Sequence, residues 1–218
     1  MFDAIAPTYD LLNSVLSGGI NRVWEAALVK HLSRLDDARV LDLCTGTGAL
    51  AVRLARRCKA VTGADISPGM LEIARARNPS LINVSWVEAD AQNLPFEDGT
   101  FDVVTASYGV RNLPDLVKGL QEMCRVVSPG GQVGILEFGH PRNRVWRALF
   151  SCYSRCVIPL LGGLISGQRG AYEYLPTTAA AFPCGVAFES LLRDAGLLPI
   201  KTIPLLGGVA YIYIASRS

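Results

Sequence analysis

Arg39-Val-Leu-Asp-Leu-Cys-Thr-Gly-Thr-Gly-Ala-Leu-Ala-Val-Arg-Leu-Ala55 is the stretch that decides the fold. Residues 39–43 form a short apolar run and read as a buried strand, while Leu50, Val52, Leu54 and Ala55 suit a helix. Between the two, Gly46 and Gly48 let the backbone approach a ligand closely, and the start of the following helix offers free N–H groups. A strand, a glycine turn and a helix in that order open a parallel β-α-β unit.

The same rhythm continues on the C-terminal side. Ala60–Asp65 reads as a strand, and Ser67-Pro68 as a helix cap with the first helical residue, the helix running on through Met70, Leu71, Ile73 and Ala74. Val84–Glu88 and Phe101–Ser107 read as strands. Leu116–Val127 reads as a helix stopped by Pro129-Gly130-Gly131, and Gln132–Phe138 as the next strand. Repeated alternation predicts a parallel sheet with helices on both faces. Leu197–Ile203 and Val209–Ser216 close the chain as two strands joined by Leu205–Gly208, a link too short for a parallel crossover, so an antiparallel pair fits. The expected fold is α/β, a single seven-stranded, mostly parallel, doubly wound sheet. Before it, Phe2, Ile5, Tyr9 and Leu12 share one helical face interrupted at Pro7, and Val23–Leu35 is a second helical pattern. The expected organisation is one domain over 1–218, with a helical lid at 1–36 and a helical cap at 141–182 inserted before the last two strands.

Composition narrows the function. The chain has 218 residues, half of them hydrophobic and only 18% charged, with a formal net charge of +2. That excludes a disordered chain and argues against a nucleic-acid partner, which calls for a strongly basic face. Six cysteines without Cys-x-x-Cys spacing and two separated histidines make no metal ligand set. They read as reduced thiols of a cytoplasmic protein. The charge is uneven: residues 1–139 carry 13 basic and 16 acidic side chains, whereas 140–218 carry 8 and 3.

Three acids fall at strand ends in register with the glycine turn. Asp42 stands just before it, where a carboxylate repels a pyrophosphate and suits a ligand with a cationic end. Asp65 ends the second strand, where it can accept from both hydroxyls of a ribose. Asp90-Ala91 follows the third, where a carboxylate can accept from an adenine amine. Gly46-x-Gly48-x-x-Ala51 also fits a dinucleotide fingerprint, so a nicotinamide-dependent oxidoreductase stands as the alternative.

Asp42-Leu-Cys-Thr-Gly-Thr-Gly48, Asp65-Ile-Ser67, Asp90-Ala91, Leu94-Pro-Phe96, Phe101-Asp102 and Pro129-Gly-Gly131 together resemble a class I S-adenosylmethionine-dependent methyltransferase of Rossmann-like fold. Met1-Phe-Asp-x-Ile-Ala-x-x-Tyr-Asp10, Leu16-Ser-Gly18, Tyr108-Gly-Val-Arg-Asn112, Leu136-Glu-Phe138, Tyr174-Leu-Pro176 and Phe182-Pro183 resemble the UbiE/MenG family more narrowly, the C-methyltransferases of ubiquinone and menaquinone biosynthesis. The resemblance implies S-adenosylmethionine as cofactor, held by Thr47, Asp65, Asp90, Ala91 and Ser107 together with Asp42, Gly46, Gly48 and Ile66. It implies C-methylation of a polyprenylated quinol ring, demethylmenaquinol or a demethylated ubiquinol precursor. Asn21, Glu25 and Ala49 depart from the family's usual residues.

Methyl transfer to a ring carbon needs that ring made electron-rich, by deprotonating or polarising a ring hydroxyl, and therefore needs a cation aimed at the oxygen. Arg111 follows the fourth strand, on the edge where ligands bind in open α/β sheets. It is the candidate for stabilising a developing phenolate, with Asn112 orienting the ring; a structural ion pair is the competing explanation for Arg111. Tyr9 resembles the family's N-terminal tyrosine and is a third candidate, over the methyl-donor end or the ring. His140 follows the fifth strand but sits in a loop beside Pro141, a weaker candidate for a base. The proton acceptor is left open between a water and a carboxylate. A non-catalytic quinone-binding module is the third functional class considered.

Residues 141–172 contain five arginines and no acid. On a helical wheel Arg144, Arg147, Ser151, Ser154 and Arg155 face Val145, Trp146, Leu149, Phe150, Cys152, Tyr153, Cys156 and Val157. Such a helix fits a cap over a polyprenyl tail lying on an anionic membrane surface, through 141–170 on the inner face of the plasma membrane; it equally fits a helix packed on its own sheet. Oligomeric state is left open, a homodimer included.

Overall fold

A computed structural model describes residues 17–33, 35–153, 178–179 and 181–218. Seven strands form one sheet: β1 Arg39–Leu43, β2 Ala60–Asp65, β3 Val84–Glu88, β4 Phe101–Ser107, β5 Val127–Phe138, β6 Leu197–Leu205 and β7 Ala210–Arg217. Their order is β3-β2-β1-β4-β5-β7-β6. The first five run parallel, and β7 pairs antiparallel with both β5 and β6. The closing pair is antiparallel as expected; that the last strand inserts beside β5 and pushes β6 to the edge is a tertiary outcome with no local signal.

The sheet separates two cores because side chains alternate across it. Val104, Ala106 and Ile135 point to one side, meeting Leu120 and Met123 of α4 (Leu116–Val126) and Phe188 and Leu192 of α6 (Val186–Asp194). Val103, Leu136 and Ile212 point to the other, meeting α1 (Ile20–His31) and α2 (Ala49–Ala55). The described part of the expected N-terminal lid is thus α1, a core helix: Leu28 and Leu32 pack against Gly134 of β5, where any side chain would collide with them. Tyr9 and the rest of 1–16 lie outside the described residues.

Two other elements differ from expectation in extent. β5 begins at Val127, not Gln132, because Val127 already pairs with Phe101; the ladder then skips the Pro129-Gly-Gly131 turn and resumes at Val103 opposite Gln132. The amphipathic segment gives α5 (Arg144–Cys152), capped by the Asn143 side chain accepting from the Trp146 amide at 3.0 Å. Residues 154–177 of the expected cap, with Tyr174 and Pro176, lie outside the described residues. No helix among the described residues is long and apolar enough to cross a membrane.

Since β1 to β5 are parallel, their carboxyl ends share one edge. The chain leaves β1 toward β2 and β3 on one side and returns from β3 to β4 on the other, which opens a crevice between the ends of β1 and β4.

Candidate active site

The glycine turn closes over the end of β1. Gly46 adopts φ +56° with nothing within 4 Å of where a Cβ would stand, so that flank of the turn is open. Gly48, at φ +85°, has the opposite need: a Cβ would land inside the Trp86 ring, which comes up from β3 beneath the turn. One glycine leaves room for a ligand and the other leaves room for a tryptophan.

The turn amides are less free than the sequence implies. Thr45 N–H donates to the Ala64 carbonyl at 3.0 Å, Gly46 N–H to Asp65 Oδ2 at 2.8 Å, and Gly48 N–H to the Thr45 carbonyl at 2.9 Å. The turn is therefore fixed by its own contacts, and α2, seven residues long, presents a short first turn. Thr47 is buried within it.

The Asp42 carboxylate lies under the turn, 1% exposed. It accepts from Thr45 Oγ1 at 2.7 Å and Thr105 Oγ1 at 2.9 Å. Burial raises its pKa to about 6, aided by the nearby charge of Asp65 and opposed by the two hydroxyls. Any pull it exerts on a cationic ligand acts from beneath the turn rather than by contact.

Asp65 ends β2 at the crevice edge, half-buried. Its Oδ1 accepts from Ser67 N–H at 2.9 Å while Oδ2 holds Gly46, so one carboxylate ties the turn to the start of α3 (Pro68–Arg77). Ile66 beside it is exposed. Asp90 is exposed after β3, its Oδ1 accepting from Gln92 N–H at 2.9 Å, and Ala91 is buried behind it. Ser107 ends β4, next to Tyr108, whose φ of +55° turns the chain sharply. Asp65, Ile66, Asp90, Gly46 and Ser107 thus stand along one edge of the sheet.

Past that turn, Val110–Asn112 forms one 3-10 turn. Arg111, its side chain 6% exposed, pairs with Glu137 of β5, which is 0% exposed, at 2.9 Å. The other oxygen of Glu137 accepts the Arg111 backbone N–H at 3.2 Å, and Arg111 Nη1 also donates to the Tyr108 carbonyl. The guanidinium lies 5.2 Å from the centre of the Phe138 ring, which Tyr108 also packs against. Arg111 is thus in a buried ion pair. Glu137 had no individual role in the sequence reading; the only hint was its place in Leu136-Glu-Phe138, at a strand end where an acid is costly without a partner. His140 is half-buried in the loop after β5.

The pattern of the ubiE/COQ5 methyltransferase family matches residues 1–217. This chain belongs to that family. Among its relatives, a ubiquinone/menaquinone biosynthesis C-methyltransferase UbiE from Bdellovibrio bacteriovorus is 42% identical over 218 residues, covering 98% of this chain and 92% of that protein. A demethylmenaquinone methyltransferase from Thermus thermophilus is 43% identical and matches the full length of both. In structure the chain is similar to a SAM-dependent methyltransferase from Aquifex aeolicus, with a TM-score of 0.67 at 17% identity over 89% of each chain. For a member of the ubiE/COQ5 family the cofactor is S-adenosylmethionine, and the nicotinamide alternative is not favoured. The residues present fit that group: an open turn flank at Gly46, acids at the ends of β2 and β3, an exposed aliphatic side chain between them, and a buried carboxylate to offset a cation.

Proposed function

We propose that this chain transfers the methyl group of S-adenosylmethionine to a ring carbon of a polyprenylated quinol, demethylmenaquinol or a demethylated ubiquinol precursor, in quinone biosynthesis. The observation that carries this is the division of the crevice in a member of this family: carboxylates at the ends of β2 and β3, with that of Asp42 beneath the turn, and a buried guanidinium across the β1–β4 switch point.

When bound, the cofactor supplies a sulfonium methyl group whose bonding pair stays with sulfur as the ring carbon takes the methyl. Asp65 accepts from the ribose hydroxyls and Asp90 from the adenine amine. Ile66 and Ala91 border the base, and Thr47, Gly46, Gly48 and Ser107 shape the methionine end above Asp42. The positive charge is neutralised at the transition state, so an apolar, enclosed site favours reaction, and alignment of two bound reactants supplies on the order of 7–11 kcal/mol of the barrier. Arg111 stabilises the ring oxygen as its proton leaves to water, which drives electron density to the ring carbon; after methylation that carbon loses its own hydrogen as a proton, which returns to the ring oxygen by way of water and restores the quinol. Asn112 orients the ring. A guanidinium is a poor base because it holds its proton so tightly, so Arg111 donates and does not abstract. Tyr9 is assigned to the cover over the reacting groups.

One domain over 1–218, with 1–36 and 141–182 flanking the acceptor, accords with this reaction; α1 then anchors the N-terminal part to the sheet. Segment 141–170 is assigned to an anionic membrane surface on the cytoplasmic side. Trp146 and Phe150 fasten α5 to the core, whereas Val145 and Leu149 are 69% and 60% exposed beside the exposed Arg142, Arg144 and Arg147.

Incubation with labelled S-adenosylmethionine and either acceptor, with the product identified by mass, tests the reaction; absence of ring methylation on both refutes it. Sedimentation with phosphatidylglycerol vesicles but not phosphatidylcholine vesicles, reduced in Leu149→Asp, tests the membrane contact. Light scattering decides between monomer and homodimer.

A further inference from the structure

The Arg111–Glu137 pair does more than neutralise a buried charge. Glu137 reaches across from β5 and holds Arg111 twice, at the backbone N–H and at Nη1, and its Oε1 also accepts the Phe138 N–H at 2.9 Å. The Tyr108 carbonyl takes a further donation from Nη1, and Phe138 lies under the guanidinium plane. The orientation of the side chain is therefore set from three directions. Among the described residues, two buried polar atoms on this same turn have no partner: Arg111 Nε, a donor, and Asn112 Oδ1, an acceptor. Buried polar groups are seldom left unpaired, because the lost water contacts are not repaid. A donor and an acceptor on adjacent residues suit a group that both accepts and donates, and the ring hydroxyl of a quinol is such a group.

We infer that Glu137 is a positioning residue that occupies Arg111 Nη1 so that Nε–H and Asn112 Oδ1 are left to hold the acceptor's ring hydroxyl. The inference rests on the assignment of Arg111 to the acceptor oxygen and adds which of its donors acts and what aims it. As the hydroxyl gives up its proton to water, Nε–H strengthens as a donor to the oxygen, while Asn112, which accepts a hydrogen bond from the hydroxyl before ionisation, favours the neutral form. Glu137 keeps the cation fixed throughout.

Three variants test it, with kcat measured at saturating acceptor and affinity for S-adenosylhomocysteine measured by calorimetry. Glu137→Gln is expected to lower kcat about 30-fold or more, to leave cofactor affinity within about 2-fold, and to move the rising limb of the kcat–pH profile upward by about one unit, because a misaimed donor stabilises the phenolate less. In the double variant Arg111→Ala/Glu137→Gln, kcat is expected to equal that of Arg111→Ala alone, since Glu137 acts only through Arg111. Arg111→Lys preserves the charge and can still reach Glu137 but has no Nε–H; it is expected to lose nearly as much kcat as Arg111→Ala. It keeps the test open if Glu137→Gln does not fold. Normal turnover in Arg111→Lys or Glu137→Gln, or multiplying losses in the double variant, overturns the inference while a slow Arg111→Ala leaves the underlying assignment intact. A normal Arg111→Ala instead removes the assignment itself.

Discussion

At the ends of β1 and β2 stand two carboxylates: Asp42 beneath the glycine turn, held by Thr45 three residues on and by Thr105 of β4, and Asp65 at the crevice edge, held by Ser67 two residues on and by the Gly46 amide. At the ends of β4 and β5 the crevice is built from a guanidinium held by a carboxylate 26 residues away, with aromatic rings around it. The first half is acidic and partly open; the second is closed and holds its cation against a buried carboxylate. This is the division a cationic methyl donor and an acceptor that becomes anionic would require. The two halves are expected to fail separately, because Asp65 is tied to Gly46 and Ser67 whereas Arg111 is tied to Glu137 and Tyr108.

Breaking the half around Arg111 should have the largest effect. Arg111→Ala is expected to lower kcat by about 10²–10³, the scale found when one donor to a developing oxyanion is removed. Cofactor affinity, read by calorimetry, should stay within about 3-fold; a large loss there would show that the halves are coupled. Breaking the acidic half comes next. Asp65→Ala should weaken cofactor binding about 100-fold, on the order of 3 kcal/mol, since it removes a ligand acceptor and also the anchor of Gly46 and Ser67. An unchanged dissociation constant would take the ribose role from Asp65.

Asp42 sharpens the comparison further. Burial raises its folded pKa to about 6. A carboxyl with a raised pKa favours the fold while protonated, so its contribution is fully present below about pH 4 and is lost as pH rises through about 6. At pH 7 Asp42→Asn should therefore be neutral or stabilising by up to about 2–3 kcal/mol in denaturant titrations. The same variant should bind S-adenosylmethionine less tightly and lose the rise in affinity expected for the wild-type chain as pH passes about 6, where a cationic ligand favours the ionised form. A strongly destabilised Asp42→Asn would mean that the two threonines need the charge. The smallest expected effect is on the glycine turn: Gly46→Ala, at φ +56° with open space beyond, should cost about 1 kcal/mol in backbone strain, read as a shift in thermal midpoint. Gly48→Ala, blocked by Trp86, should cost clearly more. Equal losses would deny that the two glycines serve different ends.

Much of the acidic half could be read in advance because its determinants are local. Strand ends, a glycine turn and a Ser-Pro cap each leave a signature within a few residues, and β1, β2, β3 and β4 begin and end where their apolar runs do. β5 was read short because its first pairing, Val127 with Phe101, precedes the turn that looks like a boundary. The direction of Asp42 was not legible, since a carboxylate before a glycine turn can face the ligand or the core, and Thr105 from the next strand decides it. Glu137 was missed as an individual because nothing near it in sequence explains a fully buried acid.

By itself, then, the order of residues determined the alternation of strands and helices, the edge on which chemistry gathers, and the family, because periodicity and short-range turn chemistry are properties of adjacent residues. Only the tertiary structure decided that the last strand lies beside β5, that Asp42 points under the turn, and that Glu137 meets Arg111. Those depend on which strands become neighbours, and contacts between residues far apart in the chain are fixed by the packing of the whole sheet, not by any segment alone.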